Sequence, residues 1–490
     1  MSSRRLSLSL ALGAALALAG LPALANNAND TMTLLDIYEL AVDNDPAIRE
    51  ARANRDAAKQ AWPIERANVL PQLSLSATES RQRSEFQAQR VDQVSIPDPV
   101  VAYEEGTSLS LELNQTLFDW SRFRALGRAK AEVAAAEVEY ESAMQDLAIR
   151  TAEAYFDLLA AIDEKSSAQA NEEAIQRQKE RAERRFEVGL VAITDVQEAR
   201  AAFDDAVASR IAAERTVSLR QQSIREIIGV YPGNLAAPIE ELALELPDPA
   251  DPEAWSIQAQ TNNLAVVAAR FDLDAAEARI QEARGGHFPT LNFTASLSDT
   301  EGTEDAYPVG RIGDRADGFS RGDSYRFALS LQVPIFQGGR VTAQTSEARS
   351  RMLAQTARVE RLRRQAEREA RDAYLGILSE RSRVQALAQS VESNQTALAS
   401  TQAGFEVGTR TTVDVLDARR NLFQAQTSFA RTKYDYLLNK LRLSAAVGSL
   451  GIQDIQHVNS FLGAEAGEFV EDVEVDPDEL DTDAAQPPES

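Results

Sequence analysis

Of the side chains that most often carry chemistry, this 490-residue chain has two histidines, His287 and His457, and no cysteine. The histidines are far apart and neither sits in a ligand-spaced motif, so the sequence offers no thiolate, disulfide or histidine-rich metal chemistry. Asp and Glu total 76, so pairs of carboxylates occur everywhere and single out nothing. No glycine-rich phosphate loop or catalytic triad stands out, and the chain reads as a non-enzyme without a cofactor. Polar groups do concentrate in one phrase that the chain writes twice. FEVGLVAITDVQEAR (Phe186–Arg200) returns 219 residues later as FEVGTRTTVDVLDAR (Phe405–Arg419), with eight of fifteen positions identical. The first copy holds Thr194 and Asp195, the second Arg410, Asp414 and Asp417. Such groups form charge-assisted hydrogen bonds and attract cations. Each also has a local reading. Gly189 and Gly408 fit helix C-caps, Thr194 and Asp195 sit where they could cap free N–H groups, and Asp414 and Asp417 could favour a helix dipole. Arg410 has no obvious intrahelical partner and is the sharper candidate.

The elements that position this phrase are long. Trp120–Val188 contains no proline and one early glycine, Gly127. Leu126, Val133, Tyr140, Leu147, Ala154 and Ala161 recur every seven residues, with Ala129, Ala136 and Ala143 three later, which predicts a coiled-coil seam of small contacts. At 1.5 Å per residue the run reaches roughly 100 Å. It breaks at Gly189, and a second helix is expected over Ile193–Ile228. Arg340–Val407, a break at Gly408 and Thr412–Val447 repeat the pattern. The repeated phrase is thus the far turn of each of two helical rods. Further anchors extend the repeat: LPQLSLSA (Leu70–Ala77) with FPTLNFTA (Phe288–Ala295), and LFDWSR (Leu117–Arg122) with IFQGGR (Ile335–Arg340), both offset by 218.

Before each rod comes a helix expected to end near Pro71 or Pro289, then strands with period-two alternation. Leu73, Leu75 and Ala77 share one face, as do Leu109, Leu111 and Leu113; Leu291, Phe293, Ala295 and Leu297 do the same, as do Tyr325, Phe327, Leu329, Leu331 and Val333. Polar loops are expected over Arg81–Gly106 and Asp299–Asp323. A half-buried sheet on a soluble core would alternate in the same way. A ten-residue strand, however, spans about 33 Å, and a tilt near 40° brings its height to about the 25 Å apolar band of an outer-membrane barrel. Four strands cannot close a barrel, and open edges are not tolerated in hydrocarbon, so a membrane role requires several chains to share one sheet.

MSSRRLSLSLALGAALALAGLPALA reads as a secretory signal peptide over residues 1–25, with a small-x-small site at Ala23-Leu24-Ala25. The first repeat is expected over 26–232, a Pro- and acid-rich linker over 233–252, the second repeat over 253–464, and an acidic disordered tail over 465–490. The formal charge of -25 argues against nucleic acid as a partner.

The tip sequences VGLVAITDVQ and VGTRTTVDVLDA, with the repeat around them, resemble the TolC family of outer-membrane channel-tunnels over nearly the whole mature chain. The resemblance implies a mixed α+β, mainly α fold. It implies a homotrimer in the outer membrane of a Gram-negative bacterium, with a shared 12-stranded β-barrel and a coiled-coil α-barrel reaching through the periplasm. It implies an iris-like gate at the rod ends, with links at Thr194, Asp195, Arg410 and Phe405 and a constriction at Asp414 and Asp417. Phe405 departs from the pattern, replacing a tyrosine and losing its hydroxyl. The implied partners are outer-membrane lipid, a periplasmic adaptor docking at Gly189, Leu190, Gly408 and Thr409, and an inner-membrane transporter of RND, ABC or MFS type. The competing reading is a periplasmic adaptor or structural coiled-coil protein.

Overall fold

A computed structural model describes residues 31–86, 100–239, 243–308 and 316–465. The leader reading, and the tail beyond residue 465, lie outside these residues. Three short helices open the chain: α1 (Leu34–Asn44), α2 (Pro46–Lys59) and α3 (Ala61–Ala67). Where the sequence suggested one helix, Asp45 and Pro46 divide it. The Asp45 carboxylate accepts the N–H groups of Ala47 and Ile48, and Pro46 occupies the first helical position, where its missing N–H costs nothing. Two long strands follow, β1 (Gln72–Phe86) and β2 (Val100–Asp119). The first rod is α4 (Trp120–Glu187) and α5 (Ile193–Ile228), after which comes a three-residue strand, β3 (Ala236–Pro238).

The second half repeats the order with α6 (Pro252–Asn262), α7 (Leu264–Arg284), β4 (Thr290–Pro308), β5 (Ala316–Gln332), α8 (Arg340–Glu406) and α9 (Thr412–Ala446). Here Asn263 makes the division, its side chain accepting from Ala265 and Val266. The rod boundaries agree with the sequence reading to within one residue, because glycine breaks and, at α4 and α9, the capping side chains of Asp119 and Thr411 fix them locally. The sequence reading did not find α10 (Ile452–Asn459) or β6 (Leu462–Glu465), which pairs with β3 and ties the linker to the C-terminal segment. The expected polar loops are shorter than expected. Strands run into both, since backbone ladders continue where side chains on both faces have turned polar.

The main core lies midway along the rods. Tyr155, Leu147, Leu158 and Leu159 of α4 meet Leu34 and Ile37 of α1, Ile224 and Ile228 of α5, and Tyr436, Leu437 and Leu441 of α9. Two tyrosine hydroxyls are satisfied there: Tyr155 donates to the Ala236 carbonyl at 2.6 Å and Tyr436 to the Glu245 carbonyl at 2.6 Å. Away from this core the rods close on small residues, with Ala129, Ala182, Ala199, Ala206 and Ala370 buried. Alanine loses no side-chain entropy and lets helix axes approach, which is how a chain with only 6% aromatics builds rods of this length. Among the described residues no helix is long and apolar enough to cross a membrane.

Candidate functional site: a two-faced sheet and two rod tips

The four long strands form one antiparallel sheet in the order β1-β2-β4-β5. Both hairpins have the same register: Gln72 pairs with Asn114, and Thr290 with Gln332, each residue displaced by 218. Pairing aligns the apolar positions across all four strands. Leu75, Leu111, Leu297 and Tyr325 make one transverse row, and Leu73, Leu113, Ala295 and Phe327 the next. This face is open: Tyr325 is 77% exposed, Phe327 70% and Leu75 68%. The opposite face carries Ser74, Glu112, Ser296 and Arg326 in one row and Ser76, Ser110, Ser298 and Ser324 in the next. The apolar band stops where Asp299 and Asp323 pair. A contiguous apolar patch of this kind marks a lipid or protein contact. The outer strands β1 and β5 each leave one edge unpaired among the described residues.

The rods end in two turns of like construction. Gly189 (φ 76°) and Gly408 (φ 79°) adopt the left-handed conformation that the C-cap reading requires. Leu190 N–H donates to the Arg185 carbonyl and Thr409 N–H to the Gly404 carbonyl, both at 2.8 Å. Val188, Leu190 and Val407 stand exposed around these turns.

The return helices begin differently. At α9, Thr411 is an N-cap in a full capping box. Its hydroxyl accepts from Asp414 N–H at 3.2 Å, and the Asp414 carboxylate accepts Thr411 N–H at 2.8 Å. Those hydrogen bonds from Thr411, helped by the charge of Arg410, hold the Asp414 carboxyl below the usual range. The local reading of Asp414 as a helix-start residue therefore holds. Asp417 pairs with Arg420 at 3.1 Å. At α5 the position matching Thr411 is Ala192, and no side chain caps the helix, a difference worth about 1 kcal/mol of helix stability. Asp195, at the position matching Asp414, makes no side-chain hydrogen bond or ion pair among the described residues.

The structure does not bring Asp195 and Arg410 together within one chain, and the Arg410 guanidinium forms no ion pair among the described residues. Its stem lies against Gly404, where an added Cβ would meet Arg410 Cγ at 2.8 Å. Phe405, instead of a hydroxyl link, offers its ring to the Arg185 guanidinium at 4.9 Å, joining the two rods near their tips. Sequence reasoning missed Arg185 because nothing local marks a contact between elements 220 residues apart. It also missed a second rod-to-rod link, the Tyr434 hydroxyl donating to the half-buried Asp163 carboxylate at 2.5 Å.

A sheet apolar on one face and polar on the other, carried on two coiled-coil rods, is the architecture of an outer-membrane channel subunit. The chain belongs to the outer membrane efflux protein family, whose model matches residues 37–230 and 255–449, one segment in each half. It is 35% identical to the outer membrane protein TolC of Escherichia coli over 432 residues, 88% of this chain and 85% of that one. It is 28% identical to the alkaline protease secretion protein AprF of Pseudomonas aeruginosa over 438 residues, covering 87% and 86%. The fold is similar to that of the Campylobacter jejuni CmeC outer membrane channel, with TM-score 0.71 and 17% identity over 88% of this chain and 90% of that one. It is similar also to Vibrio cholerae VceC, with TM-score 0.68 and 20% identity over 85% and 96%. Nothing in these comparisons favours the adaptor reading.

Proposed function

We propose that this chain is one of three subunits of an outer-membrane duct through which efflux pumps and type I secretion systems discharge, with a gate at its periplasmic mouth. One observation carries the reading: a four-stranded sheet with an exposed apolar face and two open edges. Hydrocarbon excludes unpaired edges, so the edges must be met by further copies, and three supply twelve strands. The serine-rich face then lines the bore. The names of the family and of the AprF relative supply the two uses, efflux and secretion of a protease. An adaptor and an inner-membrane transporter complete the path, because this chain carries no nucleotide-binding motif. The exposed Val188, Leu190 and Val407 around Gly189 and Gly408 give an adaptor an apolar seat, with Thr409 beside it. The gate is held by Asp195 and Thr194 of one tip and Arg410 of another, each meeting its mate across a subunit boundary. Asp414 and Asp417 line the aperture. An exposed Arg–Asp pair contributes about 0.5–1 kcal/mol, and three symmetric copies about 1.5–3 kcal/mol, enough to bias opening by roughly 10- to 150-fold.

The repeat specifies how the copies join. Leu113 pairs with Ala295 inside the chain. Displacing the two by 218 in opposite senses places Leu331 opposite Ala77 of the partner subunit, both on the apolar face. The chain is cysteine-free, so Leu331→Cys with Ala77→Cys is a clean test. Oxidation in native outer membranes is expected to give covalent dimers and trimers on a denaturing gel. The face-flipped pair Leu331→Cys with Thr78→Cys is expected to stay monomeric. Monomer from the first pair, or equal crosslinking from both, would refute a shared barrel in this register.

A further inference from the structure

The two tips differ at one position with a consequence for the gate, and the inference rests on the Asp195–Arg410 latch proposed above. Thr411 engages Asp414 through its hydroxyl and its N–H, occupying that carboxylate in the capping box. The same place in the first repeat is Ala192, which has no hydroxyl; α5 starts uncapped, and the Asp195 carboxylate is left without a partner among the described residues. Asp195 stands at the third position of its helix, as Asp414 does, and both turns close with the same pair of backbone hydrogen bonds, from Gly189 and Leu190 to the Phe186 and Arg185 carbonyls and from Gly408 and Thr409 to those of Phe405 and Gly404. An N-cap hydroxyl is the missing half of the box, and nearly any Ser or Thr would supply it. We propose that Ala192 is a positioning residue for the gate. By declining to cap α5 it keeps the Asp195 carboxylate free to reach across the subunit boundary, whereas a hydroxyl at 192 would draw that carboxylate back onto its own helix start. The mouth's closing strength is thus set by a side chain that touches neither the cargo nor Arg410.

The test uses the full-length trimer in planar bilayers, with Ala192→Thr, Ala192→Val, Asp195→Ala and the double variant Ala192→Thr/Asp195→Ala. A Thr-for-Ala N-cap shifts a local equilibrium roughly five-fold, and each copy's latch is weakened by about that factor. Ala192→Thr is expected to raise resting conductance towards that of Asp195→Ala, while Ala192→Val, β-branched but without a hydroxyl, stays at the resting value. The double variant is expected to match Asp195→Ala alone, since the hydroxyl acts only through that carboxylate. A purely structural effect of residue 192 would instead add to the Asp195 effect and appear equally with valine. High conductance in Asp195→Ala with resting conductance in Ala192→Thr would overturn the role of Ala192 and leave the latch standing. Resting conductance in Asp195→Ala would overturn both.

Discussion

At the scale of single residues, Gly404 carries a local cost at the place where the Arg410 stem packs. A glycine inside a helix is about 1 kcal/mol worse than alanine, yet α8 carries one where the Arg410 stem crosses it. Gly404→Ala would improve helix propensity and, by pushing on Arg410 Cγ and Thr409 Oγ1, displace the guanidinium. The expected outcome is unchanged or raised thermal stability together with raised resting conductance, matching Arg410→Ser. Conductance that rises in neither variant would remove Arg410 from the latch. Much at this scale was legible in the sequence. The glycine turns announce themselves, and the Thr-x-x-Asp spacing of the Thr411–Asp414 box is local. What was not legible depends on the other rod: the Phe405 ring meets Arg185, which no spacing rule places beside it.

At the scale of elements, the rods are clamped to each other by Tyr434 on α9 and Asp163 on α4, with Phe156 stacked on the tyrosine ring at 5.8 Å. Burial pushes the Asp163 carboxyl above its ordinary range, and the hydrogen bond from Tyr434 and the charge of Lys433 oppose that. With the folded value above the unfolded one, the unfolded chain releases its proton first as pH rises. The group therefore destabilises the fold above its unfolded pKa, fully so above the folded one, and acidification through that window removes the cost. Tyr434→Phe strips the carboxylate of its donor and pushes the value higher still. A loss of about 1–3 kcal/mol at neutral pH is expected, shrinking as pH falls towards the ordinary carboxylate range, and denaturant melts at neutral and mildly acidic pH would measure it. A loss that does not change with pH would mean that Asp163 is not ionised in the folded protein. Rod lengths were legible because heptads, alanines and capping signals are local. The full strand lengths were not, since alternation fades where both faces are polar while the ladder continues. The β3–β6 tie was hidden because a strand of three residues has no period.

At the scale of the whole molecule, two copies of one design within the chain anticipate a ring of them. The matched hairpin registers and the aligned apolar rows follow from a repeat that the sequence displays openly. The number of copies does not, since it depends on edges that one chain leaves open. The most direct measurement of the central claim is native mass spectrometry of the protein extracted from outer membranes in mild detergent. Three chains are expected, dissociating to single chains only on strong denaturation and conducting ions when reconstituted. A species of one chain that still conducts would contradict the account, because four strands would then be enclosing a pore alone.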